Sequence, residues 1–162
     1  MTRIVLEPAY EERETVRTLF KEYAVSLGID LCFQDFDEEL QTLPGKYALP
    51  DGRLYIARVD GLVAGCVGLR RFDLTRCEMK RLYVRPQSRG KGVGRLLVER
   101  IVADALAMGY AAMLLDTLQS LPEALALYRA NGFVEIGAYC HNPQPDVVYM
   151  VKPLRISGNT AT

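Results

Sequence analysis

The 162-residue chain has little of what many functional classes are recognised by. It contains one histidine, His141, and four cysteines, Cys32, Cys66, Cys77 and Cys140, none of them in a C-x-x-C pair. The spacings of a structural zinc site or a dithiol redox motif are therefore missing, and no metal is expected. Charge of either sign is not in excess, because 20 Lys and Arg stand against 20 Asp and Glu. That balance argues against a chain whose main work is neutralising nucleic-acid phosphates over a broad face. Long apolar runs are absent too. The longest uncharged stretch, Ala105 to Leu115, has eleven residues, well short of the ~20 that span a bilayer. Near the N-terminus only Ile4 to Leu6 are apolar before Glu7 and Pro8 intervene, which does not read as a secretory leader. These absences predict a cytoplasmic protein with no membrane and no nucleic-acid partner, its thiols reduced and in or near the core.

What is present describes one ordinary domain. Apolar residues make up 49% of the chain and charged residues 25%, and a chain of this length buries roughly two-thirds of its unfolded surface without help from disulfides or metal. The domain is expected to span 1–155, with a small, polar, disordered tail over 156–162.

Arg3 to Leu6 is a short apolar stretch. Val16, Leu19, Phe20, Tyr23, Ala24 and Leu27 follow at the spacing of one helical face, stopped by Gly28. Phe33 to Leu43 reads as a short second helix or a semi-ordered loop, ended by Pro44-Gly45. Two β runs, Leu54 to Val59 and Leu62 to Leu69, are joined by Asp60-Gly61, a dipeptide suited to the positive φ angles of a tight hairpin. A third run, Cys77 to Val84, stops at Arg85-Pro86. A helical pattern then runs to Met108 and ends at Gly109, and Ala111 to Leu115 reads as a strand covered on both faces. Strand, helix and strand in that order predict a parallel crossover. Ser120 and Glu123 fit a capping box for a helix running to Asn131, after which Phe133 to Tyr139 and Val147 to Val151 predict a final antiparallel pair.

The segment between the third strand and the long helix is Arg89-Gly90-Lys91-Gly92-Val93-Gly94. A glycine-rich turn entering a helix aims backbone N–H groups and the positive end of the helix dipole at one point, which makes an anion site. Side chains would block a pyrophosphate from that backbone, so the glycines fit, and Arg89, Lys91 and Arg95 add local positive charge. Two common phosphate motifs fail: Lys91 is followed by Gly92 where a Walker A loop needs Ser or Thr, and a dinucleotide fingerprint from Gly90 would need glycine at Arg95.

The pattern that fits is R/Q-x-x-G-x-G/A, here Arg89, Gly92 and Gly94, after the strand Cys77-Glu-Met-Lys-Arg-Leu-Tyr-Val84. At this point the sequence resembles the GNAT superfamily of acyl-CoA-dependent N-acetyltransferases. The likeness continues in Leu115-Asp-Thr-Leu118 and in Ala124-Leu-Ala-Leu-Tyr-Arg-Ala-Asn-Gly-Phe133, and the order of elements follows from Arg3 to Pro153. The resemblance implies an α/β domain of the α+β type, with a mixed, mostly antiparallel sheet, a central parallel strand pair and helices on both faces. It implies acetyl-CoA as co-substrate, its pyrophosphate on the amides of Arg89, Gly90, Lys91, Gly92, Val93, Gly94 and Arg95 and its pantetheine arm along Leu82, Tyr83 and Val84. It also implies Glu78 as general base, Tyr128 as general acid near the sulfur, and the Leu82 N–H facing the oxyanion.

The residues allow blander readings beside these. Glu78 can simply pair with Lys80, Arg70 or Arg71, and Tyr128 shares an apolar helical face with Leu121, Ala124 and Leu125. Leu121 departs from the family, which often has a cofactor-contacting asparagine there. Phe33 and Phe36, in an aromatic and acidic run, fall where the family builds its substrate wall, and they fit an amphipathic helix equally. His141 reads as an exposed loop residue. Cys77 has no histidine beside it to activate an acyl-cysteine route. The reaction expected is acetyl transfer to a primary amine by direct attack in a ternary complex, with a small or amino-acid-like acceptor. The alternatives are a protein lysine or N-terminal acetyltransferase and a non-catalytic acyl-CoA-binding module; a homodimer would be in keeping with the family.

Acetyl-CoA at 100 times its dissociation constant should stabilise the protein by about 2.7 kcal/mol. A thermal-shift comparison with ATP and NAD should show a rise with acetyl-CoA alone, abolished by a bulky residue at Gly92; a rise with another nucleotide instead would overturn the reading of the loop.

Overall fold

The computed structural model of the chain describes residues 2–31 and 35–154. Cys32 and Phe33, and the tail from 156 to 162, lie outside the described residues. Among those described, β1 (Ile4–Pro8), β2 (Arg53–Val59), β3 (Leu62–Arg71), β4 (Arg76–Val84), β5 (Ala112–Leu118), β6 (Val134–Ile136) and β7 (Val147–Pro153) form one sheet. Its spatial order is β1-β2-β3-β4-β5-β7-β6. Every neighbouring pair is antiparallel except β4 with β5, which is the expected central parallel pair. The helices are α1 (Arg13–Leu27), α2 (Phe36–Thr42), α3 (Val93–Met108) and α4 (Pro122–Ala130).

The pleat sends alternate side chains to opposite faces, and each face is buried under its own helices. Met79, Met113 and Leu115 pack with Leu97, Ile101, Leu125 and Tyr128 of α3 and α4. Leu54, Ile56 and Tyr83 pack with Val16, Leu19, Phe20 and Leu40 of α1 and α2. Val16, Leu19 and Phe20 are fully buried, each contributing roughly 1.5–3 kcal/mol of transfer free energy. Gly28 and Gly109 end α1 and α3 in the left-handed region, at φ 67° and 90°, and the hairpin turn has Asp60 at φ 50° and Gly61 at φ 86°.

Three local expectations are corrected. The capping box does not form: Pro122 opens α4, leaving Leu121 at the N-cap, while the Ser120 N–H turns to the Asp146 carboxylate at 3.4 Å. A proline at the first helical position has no N–H to cap, so the helix start shifts past Ser120. Cys140 is an exposed thiol on the loop after β6 and not a core residue, whereas Cys66 and Cys77 are buried. The strand expected from Phe133 to Tyr139 keeps only Val134–Ile136, because the chain then leaves the sheet edge and Tyr139 turns inward to hydrogen-bond Glu78.

The feature that positions the site is in β4. It pairs with β5 only at Arg76, Cys77 and Glu78, so beyond Glu78 the two strands part. Its register against β3 slips between Cys66 and Gly68, and Arg81 takes φ 61°, an unusual angle for a residue with a side chain. The bulge places consecutive Lys80 and Arg81 on the α1–α2 side, whereas an unbroken strand would send Arg81 to the apolar α3 side with Met79. The Cys66 thiol donates to the Arg81 carbonyl at 3.4 Å, so the displaced acceptor is satisfied.

Opposite the end of β4, a Cβ at Gly65 would lie 2.3 Å from the Tyr83 carbonyl oxygen. Gly65→Ala must push the backbone of β4 aside and should cost about 1–3 kcal/mol, the usual scale of overpacking. Chemical denaturation measures the loss, and an unchanged protein would show that β4 yields freely.

Candidate active site

The parted ends of β4 and β5 open into a cleft of about 680 Å³. One wall is Leu82, Tyr83 and Val84 with the loop residues Arg89, Gly90, Gly92, Gly94 and Arg95; the other is Asp116 and Thr117 of β5 with α4, from Leu121 at its N-cap to Tyr128 in its last turn. Thus the loop and strand residues expected to hold a cofactor do line one cavity, except Lys91, which is exposed beside it.

The loop is shaped by its glycines. Gly90 and Gly92 adopt φ 79° and 87°, which L-residues with side chains rarely tolerate. A Cβ at Gly94 would meet Leu127 Cδ2 at 3.3 Å, so glycine lets α3 approach α4 closely. No side chain caps α3, and the Leu96 N–H is the first to bond back, to Gly92 at 3.1 Å. The amides of the first turn therefore remain available to a ligand, with the helix dipole behind them. Arg89 ties its guanidinium to the Val84 carbonyl at 3.0 Å, and Arg95 pairs with Glu99 at 3.1 Å, so both cations sit at the cleft mouth. On the same wall, the end of β4 is tied to α1: Arg85 grips Glu22 at 2.8 Å and the Tyr83 hydroxyl donates to the same carboxylate at 3.3 Å. The residues present fit a pyrophosphate-bearing ligand with an extended amide arm.

Next to the cleft lies a smaller space of about 40 Å³ between the sheet and Leu27, Ile29 and Leu31 at and after the end of α1. Tyr23, Leu27, Leu82, Asp116, Thr117, Leu121 and Tyr128 border both spaces. Lys80, Arg81 and Asn142 border only the smaller of these two. Tyr128 is buried, set edge-on to Phe133 with centroids 5.9 Å apart. Its hydroxyl makes no hydrogen bond among the described residues, and burial pushes its pKa well above the ordinary 10.

Glu78 is 3% exposed and borders neither space. One carboxylate oxygen takes a hydrogen bond from Arg70 at 3.0 Å and the other from the Tyr139 hydroxyl at 2.5 Å. Lys80 Nζ lies 3.9 Å from Glu78 and 3.3 Å from Asp116, and Asn142 donates to Asp116 at 3.1 Å. A buried chain thus runs Arg70, Glu78, Lys80, Asp116, and its Asp116 end faces the cleft. Beside it, Arg81 makes a two-pronged pair with Glu39 of α2 at 2.9 and 3.0 Å and lies over the Phe36 ring. Phe36 is core beneath that guanidinium and borders neither space. His141 is exposed.

The Asp116 network was not foreseen. Its one local signal was a carboxylate breaking the apolar strand Met113-Leu114-Leu115; the partners Lys80 and Asn142 are 36 and 26 residues away.

A family model described as an acetyltransferase (GNAT) domain matches residues 50–135. The chain is 44% identical to an uncharacterised N-acetyltransferase of Schizosaccharomyces pombe, covering 86% of this chain and 87% of that one. It is 41% identical to an IAA acetyltransferase of Azospirillum brasilense over 72% of this chain and 74% of that one. A GNAT-family acetyltransferase structure from Staphylococcus aureus superposes with a TM-score of 0.77 at 19% identity, covering 94% of this chain and all of that one.

Burial raises the Asp116 carboxyl pKa, but Lys80 and the Asn142 hydrogen bond outweigh it, leaving the group below the ordinary 3.8. A depressed folded-state value contributes stability that is present above 3.8 and lost as pH falls through the folded value. Unfolding free energy should therefore decline as pH is lowered below about 4, and Asp116→Asn should flatten that slope in denaturant titrations; an unchanged slope would mean that Asp116 gains nothing from its partners.

Proposed function

The chain belongs to the GNAT family of N-acetyltransferases, and from that premise we propose that it transfers the acetyl group of acetyl-CoA to the primary amine of a small, amino-acid-like acceptor, by direct attack in a ternary complex. The observation that carries this reading is the parting of β4 and β5 beyond Glu78, which opens a cleft ending at the glycine loop on one side and at Tyr128 on the other. Backbone released from sheet pairing is well suited to an amide-bearing arm, since unpaired N–H and C=O groups must find partners.

Acetyl-CoA, when bound, supplies an activated thioester. The amides of Gly90 to Gly94 would hold its pyrophosphate, with Arg89, Lys91 and Arg95 around the phosphates, and Leu82 to Val84 would pair with the pantetheine arm. The acceptor nitrogen forms a bond to the acetyl carbon, the carbon–sulfur bond breaks, and the Leu82 N–H stabilises the negative oxygen between those events. Tyr128 gives its proton to the departing thiolate. That role fits a hydroxyl that burial keeps protonated and that no internal hydrogen bond occupies. The proton shed by the attacking nitrogen leaves to water of the cleft; Glu78, the base that the resemblance implies, borders neither space and has its oxygens taken by Arg70 and Tyr139, so it would act on that proton through such water and not by contact.

Tyr128→Phe is expected to bind acetyl-CoA as the wild type does while kcat falls roughly 100-fold, the scale of one general acid. Because the hydroxyl titrates far above 10, wild-type kcat should show no alkaline loss from this group up to that pH. Thiol release followed across pH tests both. Acetyl-CoA binding without amine-dependent thiol release would favour a binding module instead.

A further inference from the structure

The smaller space next to the cleft holds more charge than its size demands. At about 40 Å³ it has room for roughly three waters. Lys80 and Asp116 form part of its wall, with side chains 5% and 7% exposed and the charged atoms 3.3 Å apart. Burying such a pair costs several kcal/mol per ion, so an apolar pair would serve folding as well. Asp116 also borders the cleft beside Tyr128, and Lys80 borders only the smaller space. The pair is therefore polarised along the path into the protein, with negative charge at the reaction end and positive charge further in.

Resting on the acetyltransferase reading above, we propose that this pair is the acceptor site and that the acceptor is a free α-amino acid, its ammonium set against Asp116 and its carboxylate against Lys80. The charges match in kind and in separation, because the two groups of an α-amino acid sit on one carbon, as the two side-chain charges sit 3.3 Å apart. They also match in sum. Arg70, Lys80 and Arg81 are balanced by Glu39, Glu78 and Asp116 through the pairs Arg70–Glu78, Lys80–Asp116 and Arg81–Glu39. A zwitterion keeps that balance. A polyamine or a lysine side chain would bring an uncompensated cation beside Lys80, a like-charge contact in a low-dielectric space.

The test compares three acceptor sets with acetyl-CoA in a thiol-release assay: free amino acids (glycine, alanine, leucine, methionine, aspartate), their carboxamides, and the corresponding decarboxylated amines. At least one amino acid should exceed its amide and its amine by about 100-fold or more in kcat/KM, as when a site built for a polar group meets an analogue lacking it. Lys80→Met should shrink that ratio below about 10. Should that variant fail to fold, Lys80→Arg and the wild-type ratios still decide. Amides or decarboxylated amines accepted as well as amino acids would overturn this proposal and leave the acetyltransferase reading standing. Thiol release with none of these amines, while acetyl-CoA still raises Tm, would overturn both.

Discussion

Everything at the site depends on how β4 is allowed to leave the sheet. A central strand is normally held on both sides, and an early end to pairing would strand its backbone groups. Here the loss on the β5 side is matched by a bulge on the β3 side. Arg81 is held at φ 61° with its carbonyl satisfied by Cys66 and its guanidinium clamped by Glu39. A left-handed angle at a non-glycine residue costs roughly 1–2 kcal/mol, and a two-pronged charged pair in a buried setting is of a size to offset it. The clamp also explains why a seven-residue helix is stable at all. So short a helix is marginal alone, and α2 is fastened by the Arg81–Glu39 pair, by Tyr47 on the same carboxylate, and by burial of Phe36 and Leu40.

The frame was legible in the sequence where one local rule governs each element. Glycine ends α1 and α3, the Asp60-Gly61 turn sets the hairpin, and the glycine loop precedes a helix with a clear apolar stripe. Each of these is decided within a few residues, by a φ angle or a helical period. The resemblance to the GNAT superfamily, carried by three motifs in order, supplied the topology that those rules leave open, and the family match agrees with it.

Among the buried contacts across the sheet, the pairing of Glu78 with Arg70 and Lys80 was legible, because those residues lie on the same or the adjoining strand; the partners further away in sequence were not. Glu39 and Arg81, Lys80 and Asp116, and Glu78 and Tyr139 are separated by 42, 36 and 61 residues. No periodicity links them, and Glu39, Lys80 and Arg81 taken singly look like solvated surface charges. The bulge hides them further, because alternation along Cys77 to Val84 places Arg81 on the wrong face. The capping box failed for a related reason. Ser120 had the right spacing to Glu123, but Pro122 set the helix start one residue later.

The chain also shows why net charge is a poor guide to local charge. A protein of zero formal charge gathers Arg89, Lys91 and Arg95 at one helix start, where the backbone dipoles add to their positive field. The interior is governed by the opposite economy. At the loop, cations face solvent and cost little to keep; next to the cleft, three cations and three carboxylates are neutralised pair by pair, since no buried charge can stand alone. Such pairs add little to stability compared with apolar packing of the same volume. Their place in the fold is therefore best accounted for by the chemistry of the space they border, and of the three pairs only Lys80–Asp116 has a member on the wall of the cleft itself.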